Sequence, residues 1–450
     1  MRYLSHTPGD IHSMLDTMQK PSIESLFESI PKTARLNRDL DLPKALSEIE
    51  LKKTLQKIAG QAPAASFLGA GAASHFVPEI VSQLLLRGEW LTAYTPYQPE
   101  VSQGTLQAIF EFQTIVASLL GCDVANASMY DGATALAEAL LMSARLKPNA
   151  KIILISRAVH PEYREVCQTL LTAAGLHLAE IPLTSKGTTD IAALKNQIGK
   201  AHGNIAAIAY QSPNFFGQLE SQAELIDLAH SHQALAVVAN TDPVAFGAIQ
   251  SPGNLGADIV VSEGLGLCGH LSLGAPGVGL FATKQQYLRQ MPGRLCGATI
   301  DSDGNIGFVL TLSTREQHIR REKATSNICT NHGLMALAFT ITTSLYGKLG
   351  FKKLAKHNLQ KTIYFRQQAK RLGLHLLFDG PHFNETVIQF AQKETLEKTL
   401  DNLQKQDIFA GVKLDKWYPE YPNCLLVNTT ELHSDDDIDK LTHALSQKGL

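Results

Sequence analysis

Apolar residues follow two rhythms along this chain. From Val124 onward, short apolar runs (Val124–Ala127, Lys151–Ile155, Leu176–Ile181, Ile205–Tyr210, Ala234–Ala239, Ile259–Val261, Val278–Ala282) alternate with stretches of helical spacing such as Ala133–Arg145, Pro161–Ala174 and Glu220–His232. A strand apolar at nearly every position needs cover on both faces. The alternation therefore predicts a mostly parallel sheet with helices on either side. Upstream, Leu106, Ile109, Phe110, Val116, Leu119 and Leu120 mark one face of a helix over Ser102–Gly121, with Gly121 as its stop.

Either side of this core the pattern changes. Residues 1–60 read as a polar helical arm broken at Pro8-Gly9, Pro21 and Pro31, as expected of a segment that wraps a neighbour. Between Phe67 and Gly104 periodicity gives way to Gly, Ala, Tyr, Pro and Gln, and a long loop inside a compact domain is usually functional. Beyond about residue 315 come two long helical segments, Gly333–Tyr346 and Phe351–Leu372, then an isolated strand at Thr386–Phe390. A further helix, a strand at Cys424–Asn428 and a last helix from Ser434, capped through Asp437, follow. The expected division is an arm (1–60), a large α/β domain (61–315), and a junction helix with a small α+β domain (316–450).

Composition narrows the class. Hydrophobic residues make up 44% and charged residues 18% of the 450, with a formal net charge of −2, which suits a compact globular protein. No basic stripe with interleaved aromatics appears, so no nucleic-acid partner is expected. The six cysteines (Cys122, Cys167, Cys268, Cys296, Cys329, Cys424) form no C-x-x-C pair, which favours isolated buried thiols over a disulfide framework or a metal site. The start, MRYLSHTPGDIHSML, lacks the apolar core of a signal peptide, and no run of about 18 apolar residues occurs. A cytoplasmic location without a membrane partner is the expectation.

Two stretches carry candidate chemistry. Asn126–Ala135 follows an apolar strand and opens a helix, so Ser128, Gly132 and Thr134 could present N–H groups and hydroxyls to a phosphate. An ordinary strand–turn–helix connection uses the same residues. Asp242, in Asn240-Thr-Asp-Pro-Val244, lies at the carboxyl end of a parallel strand, where such sheets place their sites. Locally it is equally a cap for the turn at Pro243. Read alone, these features also fit an α/β module that binds a nucleotide.

In this order and separation the two stretches resemble the aspartate-aminotransferase-like (type I) pyridoxal-phosphate fold, in which such an Asp pairs with the ring nitrogen. That fold calls for a lysine after the next strand, to hold the cofactor as a Schiff base. Here the strand Ala257–Val261 is followed by Ser262–Gly279, and no lysine occurs between Lys200 and Lys284. His270 lies in that stretch, but imidazole forms no stable aldimine.

Longer motifs are more specific. Gly88-Glu-Trp-Leu-Thr-Ala-Tyr-Thr-Pro-Tyr-Gln-Pro-Glu-Val-Ser-Gln-Gly104, Phe110-Glu-Phe-Gln113, Ser128-Met-Tyr-Asp-Gly132, Gln211-Ser-Pro-Asn-Phe-Phe-Gly217 and Arg315-Glu-Gln-His-Ile-Arg-Arg-Glu-Lys-Ala-Thr-Ser-Asn-Ile-Cys-Thr-Asn331 resemble the glycine decarboxylase P-protein of the glycine cleavage system. One departure is His332, where that family suggests an amide. The length and the missing lysine match the N-terminal half of the enzyme, a separate subunit 1 in many bacteria and archaea. The resemblance implies a lysine-bearing subunit 2 that holds pyridoxal phosphate covalently, glycine as substrate and a lipoylated H-protein as acceptor.

On that footing this chain carries no catalytic residue of its own and lends loops to its partner's site. The expected contributors are Thr92, Tyr94, Thr95, Tyr97 and Gln98, stiffened by Pro96 and Pro99, together with Thr325, Ser326, Asn327, Thr330 and Asn331. Ser128, Gly132, Thr134, His160 and Asp242 are expected to be relics of the chain's own pocket. The alternative is a non-catalytic scaffold or regulatory protein of the same descent.

Overall fold

The computed structural model describes residues 5–36, 38–59, 63–269, 271 and 276–446, and the chain falls into two compact units, Met1–Ala62 and Pro63–Leu450. His270 lies outside the described residues. In the first unit α1 (Pro8–Thr17) and α2 (Glu48–Ala59) are joined by two 3-10 turns. Thr7 and Asp10 close a capping box on α1.

The second unit opens with a non-periodic segment that leads through α3 (Glu79–Leu85) and α4 (Gly88–Leu91) into α5 (Gln103–Leu120). Alternation then sets in: β1 (Val124–Ala125), α6 (Gly132–Leu146), β2 (Ile152–Ser156), α7 (Pro161–Ala173), β3 (His177–Ile181), α8 (Ile191–Ala201), β4 (Ile205–Gln211), α9 (Gln222–Ser231), β5 (Leu235–Asn240), β6 (Ile259–Glu263) and β7 (Gly279–Thr283). The sheet order is β1-β7-β6-β5-β4-β2-β3, parallel throughout except at β7, which runs against both neighbours.

Successive side chains enter opposite cores, as the strand period of two requires. Leu154, Ile208, Val238, Val260 and Leu280 pack with Phe112 and Phe339 on one face, while Ile153, Ile155, Val237, Val261 and Phe281 pack with Leu136, Leu140 and Leu171 on the other. This is why the strands are apolar at consecutive positions. The doubly covered sheet leaves its polar residues, Asn240, Asp242, Ser262 and Glu263 among them, at the carboxyl ends of the strands.

A hairpin, β8 (Leu295–Ile300) with β9 (Ile306–Thr311), follows the sheet and had no counterpart in the apolar pattern. The two long helical segments expected downstream form one element, α10 (Gly333–Arg371), bent where Gly347 takes φ 57 and ψ −178. Among the described residues only this helix is long and apolar enough to cross a membrane, but Ala336, Ala338 and Phe339 are buried against α5 and the sheet. Then come β10 (His375–Leu376), β11 (Glu385–Gln389), α11 (Lys393–Gln404), β12 (Val412–Lys413), β13 (Cys424–Asn428) and α12 (Asp435–Ser446). The strand expected to stand isolated is instead interior to an antiparallel sheet of order β10-β11-β13-β12. All six cysteines are free; Cys167, Cys268, Cys296 and Cys424 are buried, whereas Cys329 is exposed, contrary to the reading of uniformly buried thiols.

Gly121 shows why the stop of α5 is a glycine. Its φ is +74, and a Cβ there would lie 2.7 Å from the backbone nitrogen of Asn254. Gly121→Ala is therefore expected to cost about 2 kcal/mol of stability, read by chemical denaturation. An unchanged midpoint would show that the Asn254 turn yields freely.

Candidate active-site surface

The two loops read as functional approach each other over the α5–α10 groove. Tyr94, Thr95, Thr330 and Asn331 share the rim of one cavity of about 270 Å³, floored by Ile109, Phe112, Leu334 and Leu337. Pro96 is buried and anchors the first loop, while Tyr94 stands 86% exposed. The remaining candidates sit around this cavity without lining it. Thr92 Oγ1 donates to the Gly88 carbonyl at 2.7 Å and closes α4, and the Gln98 carbonyl accepts from Val101 N–H. Thr325 N–H donates to the Arg315 carbonyl, Ser326 Oγ accepts from Ile328 N–H at 3.1 Å, and Asn327 is exposed.

Arg294, just before β8, joins the loops. Its guanidinium donates to Thr330 Oγ1 at 2.8 Å and to Tyr97 Oη at 3.0 Å, and lies 5.4 Å from the Tyr97 ring centre. It is 3% exposed, with Glu316 3.7 Å from its Nε. Asn331 Nδ2 donates to the Ala127 carbonyl at 2.9 Å, and Cys329 N–H to Tyr130 Oη at 2.9 Å. Arg315 donates to the Met291 and Gly293 carbonyls, so the second loop is pinned to the strand end that carries Arg294. Arg294 was not singled out in the sequence, where a lone Arg beside Gly293 gives no signal.

The residues read as relics fall into two clusters, one at the N-terminus of α6 and one around Asp242 and His160. The N-terminus of α6 is capped within the chain. Asp131 accepts from Thr134 N–H at 2.7 Å, and Thr134 Oγ1 accepts from Asp131 N–H at 3.2 Å. Gly132 N–H donates to Glu263 Oε2 at 2.8 Å, and Leu265 and Val278 N–H donate to Glu263 Oε1 at 2.9 and 3.0 Å. Burial raises the Glu263 pKa against the pull of these three donors. Ser128, at φ +99, accepts on Oγ from His332 N–H at 3.2 Å. His332 Nδ1 lies 2.7 Å from the Gly277 carbonyl.

In the second cluster, Asp242 Oδ1 is 3.2 Å from His75 Nε2 and accepts from Val244 N–H, while Asp242 Oδ2 accepts from Asn384 Nδ2 at 2.7 Å. The other ring nitrogen of His75 is 3.0 Å from Glu431 Oε2. His160 lies against Tyr163 at 4.8 Å and Phe215 at 5.0 Å, with Nε2 2.7 Å from the Ala70 carbonyl. A small cavity beside Asp242, bounded by Gly71, Thr241, Asn384 and Glu385 among others, measures about 20 Å³. That is room for a water and not for a ring.

The whole chain can now be set beside known proteins. The family model described as "Glycine cleavage system P-protein" matches residues 1–445. The chain belongs to that family. It is 48% identical over 438 residues to a protein of Anaeromyxobacter dehalogenans (strain 2CP-C) named "Probable glycine dehydrogenase (decarboxylating) subunit 1", covering 96% of this chain and 97% of that one. A crystal structure of glycine decarboxylase (P-protein) of the glycine cleavage system in inhibitor-bound form superposes with a TM-score of 0.88 at 38% identity, covering 99% and 100% of the two chains. Mouse CSAD in apo form, 13% identical with a TM-score of 0.69 and 97% of each chain covered, shares the fold alone. The architecture is the type I pyridoxal-phosphate-dependent transferase fold.

Pyridoxal phosphate does not fit this chain's own pocket. Its ring-nitrogen partner, Asp242, is engaged by His75, and the helix N-terminus suited to phosphate holds Glu263 and the Asp131 cap. The cavity beside Asp242 has room for a water only, and the sequence supplies no lysine from residue 201 to 283. Glu263 had a faint signature, an acid closing an apolar strand. His75 had none, being joined to residues 167 and 356 positions away.

Arg294→Lys keeps a charge but loses the planar fork whose two nitrogens span Thr330 and Tyr97. Losing one charged hydrogen bond, about 1.5 kcal/mol, should speed exchange of the Tyr97 and Cys329 amides by roughly tenfold. Unchanged protection at both amides would show that Arg294 does not tie the loops.

Proposed function

We propose that this chain is subunit 1 of a two-subunit glycine dehydrogenase (decarboxylating) that acts by completing its partner's active site. The single observation that carries this reading is the meeting of the Tyr94–Thr95 and Thr330–Asn331 segments at one rimmed cavity, held by Arg294, on a chain whose own Asp242 and α6 N-terminus are already paired. The name borne by the Anaeromyxobacter relative supports the subunit assignment.

In this proposal subunit 2 holds pyridoxal phosphate through its lysine, and the group serves as the electron sink that makes loss of carbon dioxide from glycine feasible. The aminomethyl group passes to the lipoyl disulfide of H-protein, which is reduced as it accepts it. This chain's part is positional. Tyr97 presents a hydroxyl whose lone pair is held by Arg294, so its proton points outward. Thr330 Oγ1 accepts from the same Arg and turns its own proton to the Asn331 carbonyl at 3.5 Å, which ties the second loop to the first. A donor fixed by a buried cation, as Tyr97 Oη is, suits an anionic group of the substrate or of the partner's cofactor. Asn331, tied to Ala127, holds the second loop at its distance.

The test is reconstitution. The full chain alone should show neither the visible absorbance of lysine-bound pyridoxal nor glycine–bicarbonate exchange, and the mixture with the lysine-bearing subunit should show both. An inactive mixture with an intact partner would leave only the scaffold or regulatory reading. Within an active mixture, Tyr97→Phe should slow exchange about tenfold or more, the worth of one charged hydrogen bond, with assembly unchanged by sedimentation. Wild-type exchange in that variant would remove Tyr97 from the site.

A further inference from the structure

The cluster around Asp242 is built with more care than a merely collapsed one requires. Both ring nitrogens of His75 face carboxylate oxygens, Asp242 Oδ1 at 3.2 Å and Glu431 Oε2 at 3.0 Å. A neutral imidazole donates once, so only the imidazolium satisfies both contacts. The side chain is 1% exposed. Asp242 is the carboxylate that the fold directs at a pyridine nitrogen, and here it meets a planar nitrogen cation supplied by the chain itself.

We infer that His75 is a built-in cation that takes Asp242 as its partner, and that this lock makes it a positioning residue for the segment entering the Trp90–Gln98 loop.

The surroundings carry the second half of the inference. Gly266, in the loop after β6, lacks the Cβ that would come within 2.5 Å of the Ala73 carbonyl and 3.1 Å of the His75 ring, so the 73–76 segment seats directly against that loop. The next residue, Phe76, donates its N–H to Glu431 Oε1 at 2.7 Å and accepts on its carbonyl from Tyr346 Oη at 2.6 Å. Glu431 Oε2 also accepts from Asn358 Nδ2 at 2.7 Å. From this anchor the chain runs without a break through α3 and α4 into the loop.

The titratable groups around His75 are Asp242 from the end of β5, Glu431 from the turn after β13, Glu385 on β11 and Tyr346 on α10. Burial pushes Glu385 up to about 7. Burial would push the His75 pKa down, but the Asp242 and Glu431 carboxylates hold it at about 10. A folded value above the unfolded one, roughly 6.5, means the lock is fully stabilising below that pH and fades as pH climbs through 10.

His75→Gly in the full chain leaves an imidazole-shaped hole between two carboxylates, and added imidazole is the probe. Imidazole should raise the Tm of the variant and leave wild type unchanged. Its apparent affinity should fall about tenfold per pH unit above roughly pH 7, because free imidazole loses its proton there while the bound one keeps it. Asp242→Ala in the same chain should abolish the rescue. In the mixture with subunit 2, imidazole should also restore glycine–bicarbonate exchange. This last arm rests on the proposed function, whereas the Tm arm does not, so failure of one is distinguishable from failure of the other.

Rescue that is absent, independent of pH, or retained with Asp242→Ala overturns the lock. Should His75→Gly fail to fold, ¹⁵N-histidine spectra of the wild-type chain decide the matter. Both His75 ring nitrogens should still carry protons at about pH 8, and a neutral tautomer there overturns the assignment.

Discussion

A cation buried between two carboxylates ties the molecule together at the ends of its strands. Burying His75 as an imidazolium costs several kcal/mol in lost hydration, and a single counter-charge seldom offsets that. Two carboxylates do so here, because each is itself held by further donors. Asp242 takes Val244 N–H and Asn384 Nδ2, while Glu431 takes Phe76 N–H and Asn358 Nδ2. The donors come from the large sheet, the antiparallel sheet, α10 and the segment before α3. One charged group thus fixes four parts of the second unit relative to one another. Removing it would strand two acids in a low-dielectric interior, so its loss cannot be local.

The other cluster follows the same logic with the sign reversed. The N-terminus of α6 offers unpaired N–H groups and a positive dipole end, which favours an anion there. Glu263 supplies it from the neighbouring strand and takes two further N–H groups from its own loop. His75 beside Asp242 and Glu263 at α6 engage, from within the chain, the two groups that the fold offers to a pyridine nitrogen and a phosphate. The sheet keeps the polar residues of a cofactor fold but pairs them within the chain. Asn240, Asp242, Ser262 and Glu263, at the strand ends, each have a partner within the chain.

The elements that were legible in the sequence are those whose burial depends on neighbours close in the chain. β2 to β7 and their helices appear within a residue or two of the apolar runs, because a two-sided strand needs only its own composition to be recognised. Gly121 as the stop of α5 and Ser434 with Asp437 at α12 are local chemistry and equally visible. The β8–β9 hairpin was not, since Leu295–Ile300 and Ile306–Thr311 are partly exposed and show no clean alternation. Thr386–Phe390 looked isolated because its partner, β13, lies almost forty residues on. The loop candidates were found through their Tyr, Pro and Asn content. Arg294, which joins them, was invisible, because nothing in sequence couples it to Tyr97 or Thr330.

This separation of roles has a physical basis. A loop that must reach a partner's site should be stiff at its base and free at its tip, since ordering a mobile tip on binding costs affinity. Pro96 is buried, Arg294 holds Tyr97 and Thr330, and Tyr94 is left standing in solvent. The base of that loop descends through α4 and α3 to Phe76 and the His75 lock. A pocket still open to a cofactor would leave that base dependent on whether the cofactor was bound. Pairing Asp242 and the α6 N-terminus with the chain's own charges removes the dependence, so in the proposed assembly the surface offered to the partner is set once, when the chain folds.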